Sequence, residues 1–320
     1  MDIFDSDYLR ISLALLSALI LFLYAIENLS KEIQDLASER FRDKISRIAR
    51  NSYLGTIFGA LLTALIQSSS AVTVITVILV NTGVISFRNS LGIIFGSNIG
   101  TTITAQLALI NSNILASVLI VLGFLLGLFG RKTKTLSKPI FFLGFILFSL
   151  SLLSSTISPL KTNTELLSIF SNLSNPLLAY FVSAVFTMVI HSSSVTSGII
   201  VILAQSGFIP IQVSIPMILG ANLGSSITAL LASSRLNLHS KRVGFANFLF
   251  NAIGTLLFMI LLNPFIWVIQ SLSSGVAVQT AVAHILFNVV NTLIFLTFLN
   301  PFESLVKRIL KGNEDRKSVV

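Results

Sequence analysis

Apolar runs of membrane-spanning length recur along the whole chain. A helix needs about 20 residues to cross the hydrocarbon core of a bilayer. The runs that reach or approach this length are 11–29, 53–80, 84–110, 112–130, 139–156, 176–205, 208–234, 243–262 and 281–302. This pattern predicts an all-α membrane protein.

Polar residues interrupt two of these runs near their middle. The first arm, 54–66, would be about 20 Å long as a helix, whereas the hydrocarbon core is about 30 Å thick. The polar tetrapeptide 67–70 follows it, and 191–194 interrupts the other run in the same way. Irregular polar backbone survives at membrane depth only where it is buried in protein or lines a cavity. We therefore predict two re-entrant helical hairpins whose tips meet near the midplane, which leaves seven crossings.

Residues 31–50 carry mixed charges, with Ile33, Leu36 and Phe41 at helical spacing. This pattern predicts an amphipathic helix at the membrane interface, with a solvated linker helix as the alternative.

The chain also contains an internal repeat with an offset of 124 residues. TALIQSSSAVTVITVIL (63–79) aligns with TMVIHSSSVTSGIIVIL (187–203), and GSNIGTTITAQL (96–107) aligns with GANLGSSITALL (220–231). Two separate polar motifs that match at one offset indicate a duplication.

The duplication divides one transmembrane transport domain, 1–320, into two repeats. The copies cover about 11–130 and 135–254, followed by an extra span near 281–302 and a basic cytoplasmic tail, 303–320. Each copy has three crossings, an odd number, so the second copy is inverted relative to the first. Inverted repeats place the substrate site near the midplane between the halves.

A shorter similarity links FANFLFN (245–251) to VAHILFN (282–288) at an offset of 37, and Asn-Pro-Phe follows each copy. Shared helix packing and a shared functional role both explain it. We expect a structural role for His284.

Composition and charge agree with a membrane protein. The 320 residues are 54% hydrophobic and 10% charged, whereas soluble domains are about a quarter charged. The absence of cysteine excludes disulfides and thiolate metal sites. If both hairpins turn back, 19 of the 21 basic residues, among them Arg88, Arg242 and Lys307, fall on one face; the other face keeps Arg10 and Lys161. Basic loops are cytoplasmic, which predicts a plasma (inner) membrane protein with its N-terminus outside and its C-terminus in the cytoplasm.

The hairpin tips have the chemistry of an anion site. A tip exposes the N-terminus of its second half-helix, where unpaired N–H groups and a partial positive charge attract anions. Serine hydroxyls add donors and can also bind a cation through oxygen. The residues predicted to bind the anion are Gln67, Ser68, Ser69, Ser70, His191, Ser192, Ser193 and Ser194.

Glycine and asparagine recur inside the spanning runs at 97–102 and 221–226. Glycine permits unwinding, and unwound carbonyls together with hydroxyls form the oxygen cage that Na⁺ favours in discontinuous helices. We therefore predict a broken transmembrane helix in each repeat. The predicted sodium ligands are Gln67, Ser69, Thr73, Asn98, Thr101, Thr102, Ser193, Ser197, Asn222, Ser225 and Ser226.

Charged residues are missing from both hairpin segments, 53–86 and 167–233. A bound anion would therefore lack a Lys or Arg partner, and co-bound cations could balance it, which favours Na⁺ symport. Proton-driven transporters usually use intramembrane carboxylates. His191, the one ionisable side chain in either motif, could bind the anion, brace the hairpin or carry a proton.

These motifs resemble the type II sodium-dependent phosphate cotransporter family, including its bacterial members. The resemblance rests on Gln-Ser-Ser-Ser at 67–70, its partner at 191–194, the Gly-x-Asn-x-Gly stretches at 96–102 and 220–226, and Ala-His-x-Leu-Phe-Asn at 283–288. It covers about residues 11 to 302. It implies a transport core of two inverted repeats that moves inorganic phosphate with Na⁺, with both ions held at the serine-rich tips.

Two departures from the family pattern stand out. His191 replaces a common glutamine, and the chain stops at Val320, where many bacterial relatives carry a soluble regulatory domain. The resemblance thus leaves room for a separate soluble regulatory protein, and a homo-oligomer stays open.

The sequence predicts a secondary transporter working by alternating access, with phosphate, Na⁺ and the lipid bilayer as partners and no nucleic acid, organic cofactor or enzymatic activity. The alternatives are transport of another oxyanion (sulfate or a small carboxylate) and proton coupling. Two opposed hairpins disfavour a pure channel. An intramembrane serine hydrolase using His191 is disfavoured because adjacent helical side chains do not face each other and no acid orients the histidine.

Overall fold

The computed structural model describes residues 7–37, 51–110, 112–158, 160 and 175–311, and within them every regular element is a helix. In chain order the helices are α1 Asp7–Ala37, α2 Ser52–Ile66, α3 Ser69–Asn81, α4 Phe87–Thr101, α5 Ile103–Ala108, α6 Asn113–Leu128, α7 Gly130–Ile157, α8 Pro176–Ile190, α9 Ser193–Gln205, α10 Ile211–Ser233, α11 Leu238–Ile260, α12 Leu262–Leu272, α13 Val276–Thr297 and α14 Leu299–Ile309.

Several helices are long and apolar enough to cross a membrane, as expected for a multi-pass protein. Five qualify individually within the described ranges, in α1, α7, α10, α11 and α13. The segments Phe87–Ala108 and Asn113–Leu128, bent by 113° relative to each other, add a sixth if they are one span. The expected seven crossings take these two segments as separate spans. At 16 residues, α6 is about 24 Å long, shorter than the hydrocarbon core.

The ends of two predicted segments differ from expectation. Helix α1 runs without a break through Lys31 to Ala37, and the rest of the predicted interfacial helix, 38–50, lies outside the described residues. The extra span ends at Thr297, and α14 occupies the start of the predicted tail. Lys161 and 312–320 also lie outside the described residues.

The helix bounds recur at the offset of 124. Adding 124 converts Ser52–Ile66 into Pro176–Ile190 and Ser69–Asn81 into Ser193–Gln205. The start of α4 maps in the same way onto the start of α10. Both copies therefore fold into the same succession of two short helices and a third, longer helical segment.

The prediction of a broken helix in each repeat is wrong for the second copy. Helix α10 is continuous from Ile211 to Ser233, and only Thr102 separates α4 from α5. The motif glycines serve close packing instead. A Cβ at Gly96 would overlap the Thr56 carbonyl oxygen, and one at Gly220 would overlap that of Tyr180. Without these Cβ atoms the backbones of α2 and α4, and of α8 and α10, can touch.

A second structural repeat has an offset of 37 and ends the described chain. Adding 37 converts Leu238–Ile260 into 275–297, which α13 fills from Val276, and Leu262–Leu272 into Leu299–Ile309. Phenylalanine ring centroids reproduce this relation at 4.8 Å for Phe258–Phe265 and Phe295–Phe302, and at 5.0 Å for Phe258–Phe287 and 4.9 Å for Phe250–Phe295. The offset relates Phe258 to Phe295 and Phe250 to Phe287, so it converts each of the last two pairs into the other. Such an exchange is the signature of a two-fold relation. The short similarity therefore includes shared helix packing.

Apolar packing surrounds the two tips. One buried cluster joins α1, α7 and α9, another joins α3, α4 and α11, and a third joins α8, α10, α12 and α13. Both second arms, α3 and α9, are thus held inside the bundle.

Candidate functional site

Both predicted tips have the same unusual backbone. Gln67 lies in the left-handed region at φ 58°, ψ 24°, and His191 lies there at φ 59°, ψ 21°. They are the two non-glycine residues with positive φ among those described, a conformation uncommon for such residues. Their N–H groups donate to the Thr63 and Thr187 carbonyls at 2.7 and 2.8 Å. This geometry ends α2 and α8.

A serine begins the second helix at each tip. The Ser68 hydroxyl accepts a hydrogen bond from the Ala71 N–H at 3.2 Å, and the Ser192 hydroxyl accepts one from the Val195 N–H at 3.3 Å. Serine is a preferred N-cap residue because it satisfies one of the orphan donors of the first turn. The remaining first-turn N–H groups of α3 and α9 have no acceptor within their own helix, and the helix dipole gives these ends a partial positive charge.

The first helix pair turns back at its tip. Helix α2 begins beside Arg88, since Ser52 and Arg88 line one cleft, and α3 ends beside it, since Val80 and Arg88 line another. The entrance and exit of this hairpin therefore lie at the same end of the molecule.

The two tips contact each other directly. The Ser194 hydroxyl at the start of α9 donates to the Gln67 carbonyl oxygen at 3.3 Å. The second arms cross over between the repeats, since α3 packs against α10 and α9 packs against α5. The structure thus joins the N-termini of α3 and α9 at one place.

A threonine holds the side chain of each left-handed residue. The Thr104 hydroxyl donates to Gln67 Oε1 at 2.7 Å, and Thr228 Oγ1 lies 3.0 Å from His191 Nδ1. Both pairs are related by the offset of 124. Neither threonine was predicted as a site residue, although their recurrence in the aligned motifs is the signal that could have found them.

The predicted anion ligands differ in exposure. Ser68, Ser69, Ser70 and Ser192 are half-buried and His191 is exposed, whereas Gln67, Ser193 and Ser194 are buried. The accessible groups form an outer layer, and the buried ones lie where the tips meet. His191 lies against Thr228 rather than against a serine.

Many of the predicted sodium ligands already bond to their own helix. Asn98 and Asn222 donate to the carbonyls four residues earlier at 2.9 and 2.8 Å, and Asn98 also lies 3.4 Å from Asn247 Oδ1. The hydroxyls that donate to carbonyls in the preceding turn belong to Thr102, Ser225 and Ser226. This pattern is typical of Ser and Thr in helices, and it leaves oxygen lone pairs free.

Three buried hydroxyl oxygens have no hydrogen-bond partner among the described residues: Thr63 Oγ1, Thr101 Oγ1 and Ser197 Oγ. Two of them, Thr101 and Ser197, are predicted sodium ligands. Thr73, another predicted ligand, is 2% exposed on α3.

Comparison with known proteins assigns the family. The family model described as Na⁺/Pi-cotransporter matches residues 21–155 and 161–273. The chain belongs to the Na⁺/Pi-cotransporter family. The resemblance drawn from the serine and glycine motifs is thereby confirmed. The matched residues include both tips, and they end before α13 and α14.

Individual relatives of this Na⁺/Pi-cotransporter family chain have different names. The "Uncharacterized protein YqeW" of Bacillus subtilis is 32% identical over 270 residues, 83% of this chain and 87% of its own length. The "Putative inorganic phosphate export protein YjbB" of Escherichia coli K12 is 28% identical over 250 residues, 77% and 46%. The human "Sodium-dependent phosphate transport protein 2B" is 36% identical over 98 residues, 29% and 14%. The chain spans about half of YjbB. No solved structure matches this chain.

Basic residues from separate segments of this family member meet at one end. Glu303 on α14 pairs with Arg88 and with Lys307, the latter at 2.7 Å. Buried Arg242 donates to the Leu310 carbonyl through Nε at 3.1 Å and through a terminal nitrogen at 2.9 Å. Burial raises the pKa of Glu303, but hydrogen bonds from Lys307 and Arg88 outweigh it, so the net pKa lies below the ordinary value. These bases were predicted to share one face.

Proposed function

We propose that the chain is a Na⁺-coupled transporter that holds inorganic phosphate between its two serine tips. The contact between Ser194 and Gln67 carries this proposal, because it joins two capped helix N-termini from different repeats. Each N-terminus supplies N–H donors and a partial positive charge, a combination that binds phosphate in many proteins.

Phosphate at this position would need additional positive charge. No Lys or Arg occurs in 53–86 or 167–233, so the tips offer dipoles and hydroxyls alone. The unpartnered oxygens of Thr101 and Ser197 are buried acceptors of the kind that Na⁺ uses in discontinuous transporter helices. Co-transported Na⁺ would therefore balance the phosphate charge.

The helix arrangement supports inverted repeats with two re-entrant hairpins. Helix α11 carries Arg242 near its N-terminus, and this end lies beside the end of α3, because the Ser240 hydroxyl donates to the Val77 carbonyl at 3.1 Å. The start of α8 lies beside the opposite end of α11, because Tyr180 and Thr255 hydroxyls are 2.8 Å apart. Thr255 is 13 positions after Arg242, about 20 Å along a helix. Hairpins that open at opposite ends onto one shared site suit alternating access.

The same arrangement bears on location and domain organisation. We place repeat 1 at about 11–130 and repeat 2 at about 135–254 of one transport domain, in the plasma membrane. The end that gathers Arg88, Arg242 and Lys307 would face the cytoplasm under the positive-inside rule.

Uptake of ³²P-phosphate into proteoliposomes tests the proposal. We expect uptake that needs an inward Na⁺ gradient and that K⁺ or a pH gradient does not replace. The double variant Ser69→Ala/Ser193→Ala should lose at least tenfold, and Ser155→Ala, an exposed serine on α7, should keep wild-type uptake. Phosphate flux without Na⁺ dependence would remove the coupling, and sulfate uptake without phosphate uptake would remove the substrate.

A further inference from the structure

A group of buried polar side chains lies apart from the serine tips, on α11 and α13. Asn251, His284, Asn288 and Asn291 are each 0% exposed. Within the described part of the chain, no hydrogen-bond partner exists for the amide oxygens of the three asparagines or for either ring nitrogen of His284. Buried polar groups are nearly always paired, so this concentration calls for an occupant.

The three asparagines all present a free acceptor. Their amide nitrogens donate to backbone carbonyls: Asn251 to Asn247 at 3.0 Å, Asn288 to His284 at 2.9 Å and Asn291 to Phe250 at 3.3 Å. A flipped amide would place oxygen against oxygen, so these contacts fix the orientation. The unpaired asparagine atoms are therefore oxygens alone, which favours a cation or a donor.

Packing between the two helices gives the order of these asparagines along the helix axes. The Phe250 ring packs edge-to-face with Phe295 and the Phe258 ring with Phe287, and the Asn291 amide lies against Gly254. In these three contacts the residue number rises along α11 while it falls by the same amount along α13. The two helices therefore run antiparallel, with Asn291 level with Gly254.

Measured along the helix axes, Asn288 lies three residues to one side of Asn291 on α13. Asn251, on α11, lies three residues to the other side. Each is an axial step of about 4.5 Å. We call this row, Asn251–Asn291–Asn288, the amide file. Hard cations bind oxygen at about 2.3–2.6 Å, about half of one such step, so the axial spacing of the file suits a cation bound between neighbouring asparagines. The two outer asparagines are equivalent under the offset of 37, so both copies present the same unpaired oxygen.

We infer that the amide file binds a monovalent hard cation, Na⁺, at a site centred on Asn291 and separate from the serine tips. Carboxamide oxygens are hard ligands suited to such ions, and no carboxylate lies between Val243 and Phe302 to trap a divalent ion. This inference rests on the proposed Na⁺ coupling, because it adds a further ion to that system.

Thermal stability of the purified full-length chain tests the amide file. A ligand that binds the folded state raises Tm with its concentration, so NaCl titrated against choline chloride gives an apparent Na⁺ midpoint. We expect Asn291→Leu to raise that midpoint at least fivefold. Asn291→Asp, which adds a negative charge to the same oxygens, should lower it at least threefold. Asn28→Leu is the control, because the Asn28 amide also donates to a backbone carbonyl, that of Tyr24 at 2.8 Å, but on a partly exposed part of α1.

The outcomes separate this inference from the proposed function. If both Asn291 variants keep the wild-type midpoint while Ser69→Ala/Ser193→Ala changes it, the amide file holds only water and the inference fails alone. If the wild type shows no Na⁺ response, Na⁺ coupling and the amide file fail together. If Asn291→Leu does not fold, an unchanged or weaker midpoint in Asn291→Asp still overturns the inference.

Discussion

The two hairpin tips share a backbone but differ in what surrounds it. Gln67 and His191 adopt nearly identical left-handed conformations, follow equivalent carbonyls and precede equivalent serine caps. Gln67 is 4% exposed and bonds at both ends of its amide, to Ala64 and to Thr104. His191 is exposed and has one described partner, Thr228. The tip backbone therefore does not depend on the side chain at its turn.

This difference predicts separate roles for the halves. Tip 1 has a fixed, buried brace, and Gln67 also supplies the carbonyl that receives Ser194. Tip 2 leaves its histidine accessible and buries two of its serines instead. We expect substitutions to be costly at buried positions of either tip and mild at His191.

The largest effect should come from glycines that both halves use alike. Gly96→Ala and Gly220→Ala would each force a Cβ into a facing backbone carbonyl, and overpacking of this kind costs about 3 kcal/mol. Both variants should lose uptake and melt well below wild type. Gly55→Ala is the control, since its Cβ would meet Ile93 N at an ordinary 3.5 Å. If one glycine tolerates alanine, the two halves do not pack equivalently.

Exchanging the turn residues tests the asymmetry. Gln67→His removes a buried amide bonded to Thr104, which should lower ³²P-phosphate uptake at least tenfold. His191→Gln should keep uptake within about twofold, because the exposed ring makes one described hydrogen bond. Equal losses in the two variants would contradict different roles for the tips.

The serine caps should behave alike. Removal of an N-cap hydroxyl costs about 1 kcal/mol, so Ser68→Ala and Ser192→Ala should each lower Tm by a few degrees in phosphate-free buffer. Ser112→Ala, which removes the cap of α6, supplies the scale for a cap outside the tips. A Tm loss at only one tip would show that the shared backbone has different supports.

The smallest effect concerns an ion pair that only the first half has. Arg88, beside the first hairpin, pairs with Glu303, whereas the equivalent position in repeat 2 is Gln212. A lowered pKa means that the pair stabilises the protein above the unfolded pKa, near 4.5, and that this stability disappears as pH falls through the folded pKa. Glu303→Gln should cost about 1 kcal/mol at neutral pH.

The Tm difference between wild type and Glu303→Gln should therefore shrink on acidification below the unfolded pKa. Glu32→Gln, which removes a pairing with Lys138 elsewhere on the surface, controls for general charge effects. A Tm difference that grows on acidification would contradict the assigned sign.

The sequence predicts the bounds of the short helices well, because four polar residues divide each apolar run and the offset of 124 relates the bounds in the two copies. The role of Gly96 and Gly220 could not be read in advance, since unwinding and close helix packing both require glycine and only the facing helix decides between them. The bond from Thr104 to Gln67 and the order of Asn251, Asn291 and Asn288 depend on how distant segments align. No local pattern contains that alignment.

The central claim is that one phosphate lies between both tips. The chain has no cysteine, so Ala71→Cys on tip 1 and His191→Cys on tip 2, in separate variants, give reporters without background. We measure the rate at which a methanethiosulfonate reagent modifies each cysteine, with and without phosphate in Na⁺ buffer. We expect phosphate to slow modification at least fivefold at both positions. Protection at one tip alone, or at neither, would contradict the claim.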